Sequence, residues 1–256
     1  MTNWDPAQYL RHADHRSRPF HDLVNRIPGT PTRIVDLGCG PGNTTATLPE
    51  RWPLATVTGI DNSPEMIAKA RADGSGVHYR QADIADYRPA DDDFPDLILS
   101  NAALQWVPDH TRLFPRWITA LPTGGTLAFQ VPGNFGEPSH TLLTALRTSP
   151  RWAPQLGALD RAAVHEPADY LDRLTALGCT VDAWETTYYQ VLHGRHPVLD
   201  WVLGTALRPV LAALTDPAER ADFLAEYGEQ LARAYPDSPN GTVLPFRRIF
   251  VVATKN

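Results

Sequence analysis

Residues 35–43 read Val-Asp-Leu-Gly-Cys-Gly-Pro-Gly-Asn, an apolar run that leads directly into a turn with three glycines. Glycine adopts backbone conformations that other residues avoid, and it lets a ligand approach the main chain closely. When such a turn opens a helix, unpaired backbone N–H groups at the helix start face the bound ligand. The segment therefore predicts a strand, a ligand-binding turn and a helix, an arrangement typical of α/β proteins.

Short β-branched or apolar runs alternate with helical patterns from about residue 33 onward. This alternation predicts βαβ units around a parallel sheet, and each run ends near Gly, Asp or Asn as buried parallel strands do. The fold class is therefore α/β, with a mostly parallel, doubly wound sheet. The predicted strands are Arg33–Leu37, Thr56–Ile60, Val77–Arg80, Leu97–Ser100, Thr126–Val131, Thr180–Leu192 and Arg247–Thr254.

Helix boundaries are marked by capping residues. Ser63 can cap a helix in which Pro64 takes the first position and Glu65 meets the positive end. Gly178 is a natural end for a helix near Ala168–Leu177. The stretch 197–235 predicts two helices, split at Thr215-Asp216-Pro217.

The domain organisation follows from these signals. Prolines and glycines interrupt the chain after Val131, and no strand pattern appears again before about residue 167. We expect an N-terminal helical cap over residues 1–30 and a core over 31–256. Helical insertions at about 132–167 and 193–242 are expected to cover the carboxyl ends of the strands.

Composition limits the partners and the compartment. The 256 residues include 23 basic and 29 acidic ones, so the net charge of −6 provides no basic field for nucleic acid. No apolar run has the length of a membrane span, and the N-terminus lacks the pattern of a secretory signal. The two cysteines are too few for a disulfide framework. We expect a cytoplasmic monomer that binds neither nucleic acid nor membrane.

Three aspartates lie at or near the carboxyl ends of the first three predicted strands. Asp36, Asp61 and Asp83 should meet at one crevice, because ligands of doubly wound sheets bind outside the carboxyl ends of the strands. There Asp61 can hold ribose hydroxyls and Asp83 an adenine amine. A dinucleotide fingerprint would require glycine at Asn43, and no Walker lysine follows. The alternative without a ligand is that the three aspartates are ordinary loop residues that cap helices.

The pattern Asp36-x-Gly38-x-Gly40-x-Gly42 resembles the first motif of the class I S-adenosylmethionine-dependent methyltransferases. The resemblance implies a Rossmann-like fold and S-adenosylmethionine as the cofactor. Gly38 and Gly40 would flank its methionine part, and the backbone of Asn101 would face the same part. The cofactor-binding residues implied in this way are Asp36, Gly38, Gly40, Asp61, Asn62, Asp83, Ile84 and Asn101.

Segments outside the cofactor motifs also resemble one branch of this superfamily, the trans-aconitate methyltransferases. That branch implies methyl ester formation on a carboxylate of trans-aconitate, a small tricarboxylate. The likeness extends almost from end to end. The segments are Trp4–Pro6 with Tyr9-Leu10, Arg16–Pro19, Asn101–Asp109, Val131–Phe135, Glu137–His140, Trp184–Tyr189, Asp200–Val202 and Pro245–Phe250.

This chemistry requires no catalytic base and no metal. A carboxylic acid of ordinary pKa is ionised at pH 7 and can attack a sulfonium methyl directly. Positioning and a water-poor pocket should supply most of the rate. The sequence contains no G-x-S-x-G or H-E-x-x-H motif, so hydrolase and zinc-enzyme interpretations lack support.

Residues that bind the acceptor should be cationic or aromatic. Tyr188 and Tyr189 alternate faces of a strand, so only one can point to a given side. Arg195, Arg208, Arg247 and Arg248 are able to clamp a distal carboxylate, although solvent exposure is the ordinary fate of arginine. The candidates are Tyr9, His15, Arg18, Gln105, Trp106, Tyr188 and Arg195.

Two alternatives remain open at this point. The first is a methyltransferase of the same fold that acts on another small acid, or on a carbon or nitrogen nucleophile. The second is a non-catalytic module that holds S-adenosylmethionine as a signal, because fold alone does not fix function.

Overall fold

The computed structural model describes residues 13–89, 94–159 and 164–256, with side chains from residue 17 onward. The chain divides into two compact units. The sheet unit comprises residues 13–89, 94–132, 164–186 and 248–256 of the described chain. The helical unit comprises residues 133–159 and 187–247.

Seven strands form one sheet in the order β3-β2-β1-β4-β5-β7-β6. Strands β1 to β5 pair in parallel, and β7 pairs antiparallel to β5. The strand order reverses beside β1, which is where doubly wound sheets bind their ligands. The predicted α/β class is confirmed. The strands are β1 (Arg33–Leu37), β2 (Thr56–Asp61), β3 (His78–Gln81), β4 (Leu97–Asn101), β5 (Thr126–Pro132), β6 (Cys179–Leu192) and β7 (Thr242–Lys255).

The helices begin where the capping signals predict. The Ser63 hydroxyl accepts a hydrogen bond from the Met66 N–H at 3.2 Å and caps α3, in which Pro64 is the first residue. Gly178 has a left-handed φ of +82° just after α7. The α-helices are α1 (Ala13–Val24), α2 (Leu48–Arg51), α3 (Pro64–Ala72), α4 (Phe114–Ala120), α5 (Pro138–Arg147), α6 (Ala153–Leu156), α7 (Pro167–Ala176), α8 (Pro197–Leu203), α9 (Arg208–Ala213) and α10 (Pro217–Ala234).

One helix prediction is wrong. The stretch 197–235 forms three helices, because α8 and α9 are separate. Gly204 ends α8, and Pro209 falls in the first turn of α9, so a second stop and start signal lies within the stretch.

The core of the sheet unit lies on the face of β5 that carries Phe129. Every residue of β5 is buried, as expected for a central strand covered on both faces. Phe129 lies 5.1 Å from the ring of Tyr170 on α7 and 5.3 Å from that of Phe114 on α4. Helix α1 also packs against β5. This packing fixes the strands whose carboxyl ends carry the candidate site.

The helical unit has its own apolar core. Trp152 packs edge-on against Phe223 of α10 with ring centroids 5.2 Å apart. Two tyrosines anchor the start of α5: the Tyr227 hydroxyl donates to the Ser139 carbonyl, and the Ser139 N–H donates to the Tyr235 hydroxyl. The cap at 1–30 and the cover insertions at 132–167 and 193–242 stay predictions.

Candidate functional site

The glycine turn after β1 is held against β2 by backbone hydrogen bonds. The N–H groups of Gly38 and Cys39 both donate to the Ile60 carbonyl, at 2.7 and 3.0 Å. Gly38 has a φ of +83° and Gly40 a φ of +56°, values that residues with a Cβ rarely adopt. The turn is therefore one rigid body with the ends of both strands.

These two glycines serve different purposes. A Cβ at Gly38 would lie 2.2 Å from the Cβ of Ala103, which is far inside van der Waals contact. A Cβ at Gly40 would meet no atom within 4 Å among the described residues. Gly38 is thus required for packing, whereas Gly40 presents bare main chain to open space. A ligand can lie against the backbone there.

Asp61, the last residue of β2, faces this turn. One of its carboxylate oxygens accepts from the Gly40 N–H at 3.0 Å, and the other accepts from the Ser63 N–H at 2.9 Å. Burial raises the pKa of Asp61 above its ordinary value, although the two N–H donors act in the opposite direction. Each oxygen keeps a lone pair beyond its backbone bond, so the carboxylate can still accept from a ligand hydroxyl.

Asp36 lies behind the turn and is 2% exposed. Its Oδ2 accepts from the Thr45 hydroxyl at 2.6 Å, and its Oδ1 has no hydrogen-bond partner in the part of the chain that the structure describes. Burial raises the pKa of Asp36 to about 7, and the charge of Asp61 acts in the same direction. A cationic donor would satisfy Oδ1 and favour the ionised form.

The third predicted aspartate lies after β3 and is exposed. The Asp83 carboxylate accepts from the Ala85 N–H at 2.8 Å and caps a short 3₁₀ helix, Ile84–Asp86. Ile84 is buried, and its Cδ1 lies 3.2 Å from the place that a Cβ on Gly38 would take. Asn62 is exposed, and its carbonyl accepts from the Gln81 amide. Asp83 therefore caps this 3₁₀ helix, and this capping does not prevent its carboxylate from also contacting a ligand.

The end of β4 continues this edge of the sheet. Asn101 pairs in register with Gln130 of β5, and the Gln130 amide donates to the Asn101 side-chain oxygen at 2.9 Å. Ala102 then takes a left-handed φ of +54°, a strained value for a residue other than glycine. We call the ends of β1, β2, β4 and β5, with Asp61, Asn101 and Gln130, the carboxyl edge.

Two predicted acceptor residues follow on a 3₁₀ turn, Leu104–Trp106. Gln105 is buried, and its amide donates to the Ala102 carbonyl. Its Oε1 has no hydrogen-bond partner among the described residues. Trp106 is 39% exposed, which is unusual for so large an apolar side chain. Both side chains therefore have capacity for a ligand.

The remaining predicted residues belong to other elements or lie outside the described part of the chain. Arg18 is exposed on α1, where it lies 4.0 Å from Asp22. Tyr188 is buried and Tyr189 is 73% exposed, as strand alternation requires. Arg195 lines a pocket of the helical unit with His196 and Tyr235. Tyr9 and the side chain of His15 lie outside the described residues.

Three polar residues of the site were not predicted. Thr45 hydrogen-bonds Asp36, and nothing in the sequence marks it. The Ser100 hydroxyl donates to the Leu37 carbonyl at 2.7 Å and ties β4 to β1. Gln130 lies between Phe129 and Val131 in a fully buried strand. A polar residue inside an apolar strand was the available signal for the last two.

Within the described residues, no helix is long and apolar enough to cross a membrane. The same part of the chain contains no group of three His, Cys, Asp or Glu side chains placed to hold a metal ion.

Comparisons with known proteins agree with this geometry. Residues 35–129 match the model of a methyltransferase domain. The trans-aconitate 2-methyltransferase of Streptomyces avermitilis is 55% identical over 100% of this chain and 98% of its own length. That of Rhodococcus jostii is 51% identical over 98% of each chain. The chain belongs to the trans-aconitate 2-methyltransferase family.

A solved structure shows the same fold. The phosphoethanolamine N-methyltransferase 2 of Haemonchus contortus, in complex with S-adenosyl-L-methionine, superposes with a TM-score of 0.56 at 16% identity. The match covers 93% of this chain and 53% of that one. The fold of this family member is therefore that of the class I methyltransferases, as the glycine turn predicted.

Proposed function

We propose that the chain transfers a methyl group from S-adenosylmethionine to a carboxylate of trans-aconitate, with the monomethyl ester and S-adenosylhomocysteine as products. One observation carries the proposal. Identity to trans-aconitate 2-methyltransferases exceeds one half and extends over the whole chain, well beyond the methyltransferase domain at 35–129. It therefore includes the parts that select the acceptor as well as those that hold the cofactor.

The carboxyl edge suits this cofactor chemically. S-adenosylmethionine carries positive charge on its sulfonium and its ammonium, and Asp36 and Asp61 provide negative charge beside the turn. The remaining lone pairs of the Asp61 carboxylate and the open space before Gly40 are the features that such a ligand would use. The residues present fit the group.

Roles follow from position along the edge. Gly38, Gly40 and Asn101 would lie along the methionine part, with Asp36 supporting the turn from behind. Asp61 and Asn62 would accept from the ribose hydroxyls. Asp83 and Ile84, which follow β3, would contact the adenine.

When bound, the cofactor supplies an electrophilic methyl group. The protein need not remove a proton, because the acceptor carboxylate is already ionised at neutral pH. Its contribution is to align a carboxylate oxygen with the methyl and to keep water away, so that the new O–C bond forms as the C–S bond breaks. Gln105 and Trp106, which follow β4, would line the acceptor side.

The other acceptor candidates, Tyr9, His15, Arg18, Tyr188 and Arg195, belong to the same proposal. We further propose that the enzyme works as a cytoplasmic monomer, with a small tricarboxylate rather than nucleic acid or membrane as its partner. Its net charge of −6 supports that choice.

The test is transfer of labelled methyl from S-adenosylmethionine to trans-aconitate, cis-aconitate, citrate and isocitrate, with products checked for base-labile ester. Strong labelling of trans-aconitate is expected. If the cofactor binds but no acid is labelled, carboxyl transfer is wrong, and a panel of carbon and nitrogen nucleophiles comes next. Binding without turnover on any of these would indicate a non-catalytic module.

A further inference from the structure

Arg248 lies at the carboxyl edge, although β7 runs antiparallel to β5. It pairs in register with Pro132, the last residue of β5. Gln130, two residues earlier on β5, pairs with Asn101 on one side and Phe250 on the other. Since a strand rises about 3.3 Å per residue, the backbone of Arg248 lies roughly 7 Å beyond that row, on the side where ligands bind.

The side chain of Arg248 is only 5% exposed. Among the lysines and arginines that the structure describes, it alone is buried. A guanidinium stays charged at every physiological pH, and removal of such a charge from water is unfavourable unless hydrogen bonds or an opposite charge compensate it. The sequence favoured solvent exposure for this arginine, and that expectation is wrong. A buried cation at a ligand edge is typical of anion recognition.

A chain of hydrogen bonds links this cation to the rest of the edge. Arg248 Nη1 donates to Gln130 Oε1 at 3.4 Å, and Gln130 Nε2 donates to Asn101 Oδ1 at 2.9 Å. Side chains at paired positions of neighbouring strands share one face of the sheet, so the three groups lie on the same face. Gln130 thereby orients the guanidinium along the edge that carries the glycine turn.

We propose that Arg248 binds a carboxylate of the acceptor and is a specificity-determining residue for polycarboxylates. The inference rests on the proposed function. The carboxylate that it binds is one that does not react, because a bidentate guanidinium would hold the lone pairs that the reacting oxygen must use. Arg248 thus fixes one end of the acceptor while another carboxylate meets the methyl.

The experiment removes the guanidinium of Arg248 and individual carboxylates of the acceptor, first separately and then together. Wild type, Arg248→Met and Arg248→Lys are assayed for methyl transfer to trans-aconitate and to three dicarboxylates that each lack one of its carboxyl groups: itaconate, mesaconate and cis-glutaconate. Affinity for S-adenosylhomocysteine is measured by calorimetry on the same preparations. Arg26→Met is the matched control, since the Arg26 side chain is 58% exposed and pairs with Asp182.

We expect Arg248→Met to lower kcat/KM for trans-aconitate about 30-fold or more, mainly through KM, as loss of one partner of a buried charge pair does. For the dicarboxylate that lacks the bound carboxylate, the variant and the wild type should differ little. The kcat/KM of Arg248→Lys should be intermediate, because lysine keeps the positive charge but cannot donate two parallel hydrogen bonds to one carboxylate. Arg26→Met should match wild type.

Two results would overturn the inference. In the first, Arg248→Met lowers kcat/KM for all active acceptors by the same factor, which indicates a structural role. In the second, S-adenosylhomocysteine affinity falls while the acceptor KM is unchanged, which indicates that Arg248 serves the cofactor through Asn101. If wild type methylates none of the acids, the proposed function itself has failed, and this outcome is distinct from both.

Gln130→Glu keeps the test decisive if Arg248→Met does not fold. The change is isosteric and places a carboxylate beside the guanidinium, 3.4 Å away in the present geometry. The ion pair should hold the fold while it competes with the acceptor, so KM for trans-aconitate should rise at least tenfold. An unchanged KM in a folded Gln130→Glu protein would refute the role of Arg248.

Discussion

The carboxylate of Asp61 accepts a hydrogen bond from the backbone N–H of Gly40 at 3.0 Å, across 21 residues of sequence. The bond joins the end of β2 to the turn that follows β1, so the two elements cannot move apart without its loss. The same carboxylate accepts from the Ser63 N–H at the start of α3. A ligand that contacts Asp61 thus meets a preorganised group, and little ordering free energy is spent on binding.

Asp61→Asn should weaken binding of S-adenosylhomocysteine about tenfold or more. The substitution keeps the shape, but it would replace the charge-assisted hydrogen bonds that we propose between Asp61 and the ribose hydroxyls with neutral ones. Calorimetric titration checks the affinity, and thermal unfolding checks the fold. Asp73→Asn is the control, because Asp73 lies on the surface beside Lys69 at 3.3 Å. Equal affinity of the two variants for S-adenosylhomocysteine would show that Asp61 does not bind the cofactor.

Alanine at Gly38 and at Gly40 should separate packing from ligand contact. Gly38→Ala is expected to unfold the protein or lower its melting temperature sharply, since the new Cβ would overlap Ala103. Gly40→Ala should cost only about 1–2 kcal/mol of stability, the usual penalty for a left-handed alanine. It should nevertheless abolish S-adenosylhomocysteine binding, because its Cβ enters the open space before the turn. Normal binding by a folded Gly40→Ala protein would contradict that placement.

Tyr170→Phe should destabilise the sheet unit by about 1–3 kcal/mol. The buried Tyr170 hydroxyl lies 2.8 Å from His110 Nε2 and accepts from the His165 N–H at 3.2 Å. Burial lowers the pKa of His110 to about 4, so the ring is neutral at physiological pH, and the Tyr170 hydroxyl is the hydrogen-bond partner of its Nε2. Urea unfolding measures the loss. Tyr189→Phe, at a 73% exposed position, should unfold like wild type.

The parts of the fold that could be predicted are those with local signals. Ser63-Pro64-Glu65 and the glycine turn each contain the residues that cap or bend their own segment, so the predicted starts of α3 and of the turn are correct. The separation of α8 from α9 was missed because Gly204 and Pro209 are weaker signals than Thr215-Asp216-Pro217.

The parts of the site that could not be predicted depend on strand register. Arg248 and Gln130 are 118 residues apart, and only the pairing of β5 with β7 brings them together. Composition favours exposure for any single arginine, so its burial follows from tertiary structure alone. The same holds for Thr45 beside Asp36, whose contact depends on how the segment after the turn packs.

Asp36 should make stability depend on pH in the unusual direction for a carboxyl group. Its pKa is raised from 3.8 to about 7, chiefly by burial, so between these values the folded chain holds a proton that the unfolded chain has released. Stability from this group is therefore fully present below pH 3.8 and is lost as pH rises towards 7. In Asp36→Asn the site stays neutral at every pH, and this contribution disappears.

The measurement is urea unfolding of wild type and Asp36→Asn at pH 5, 6, 7 and 8. Relative to the variant, wild type should lose up to roughly 1.4 kcal/mol per pH unit up to about pH 7, and the difference should then level off. Other titrating groups act equally in both proteins and cancel in the comparison. Parallel stability curves would mean that Asp36 is ionised throughout this pH range in the folded chain, and that burial does not raise its pKa.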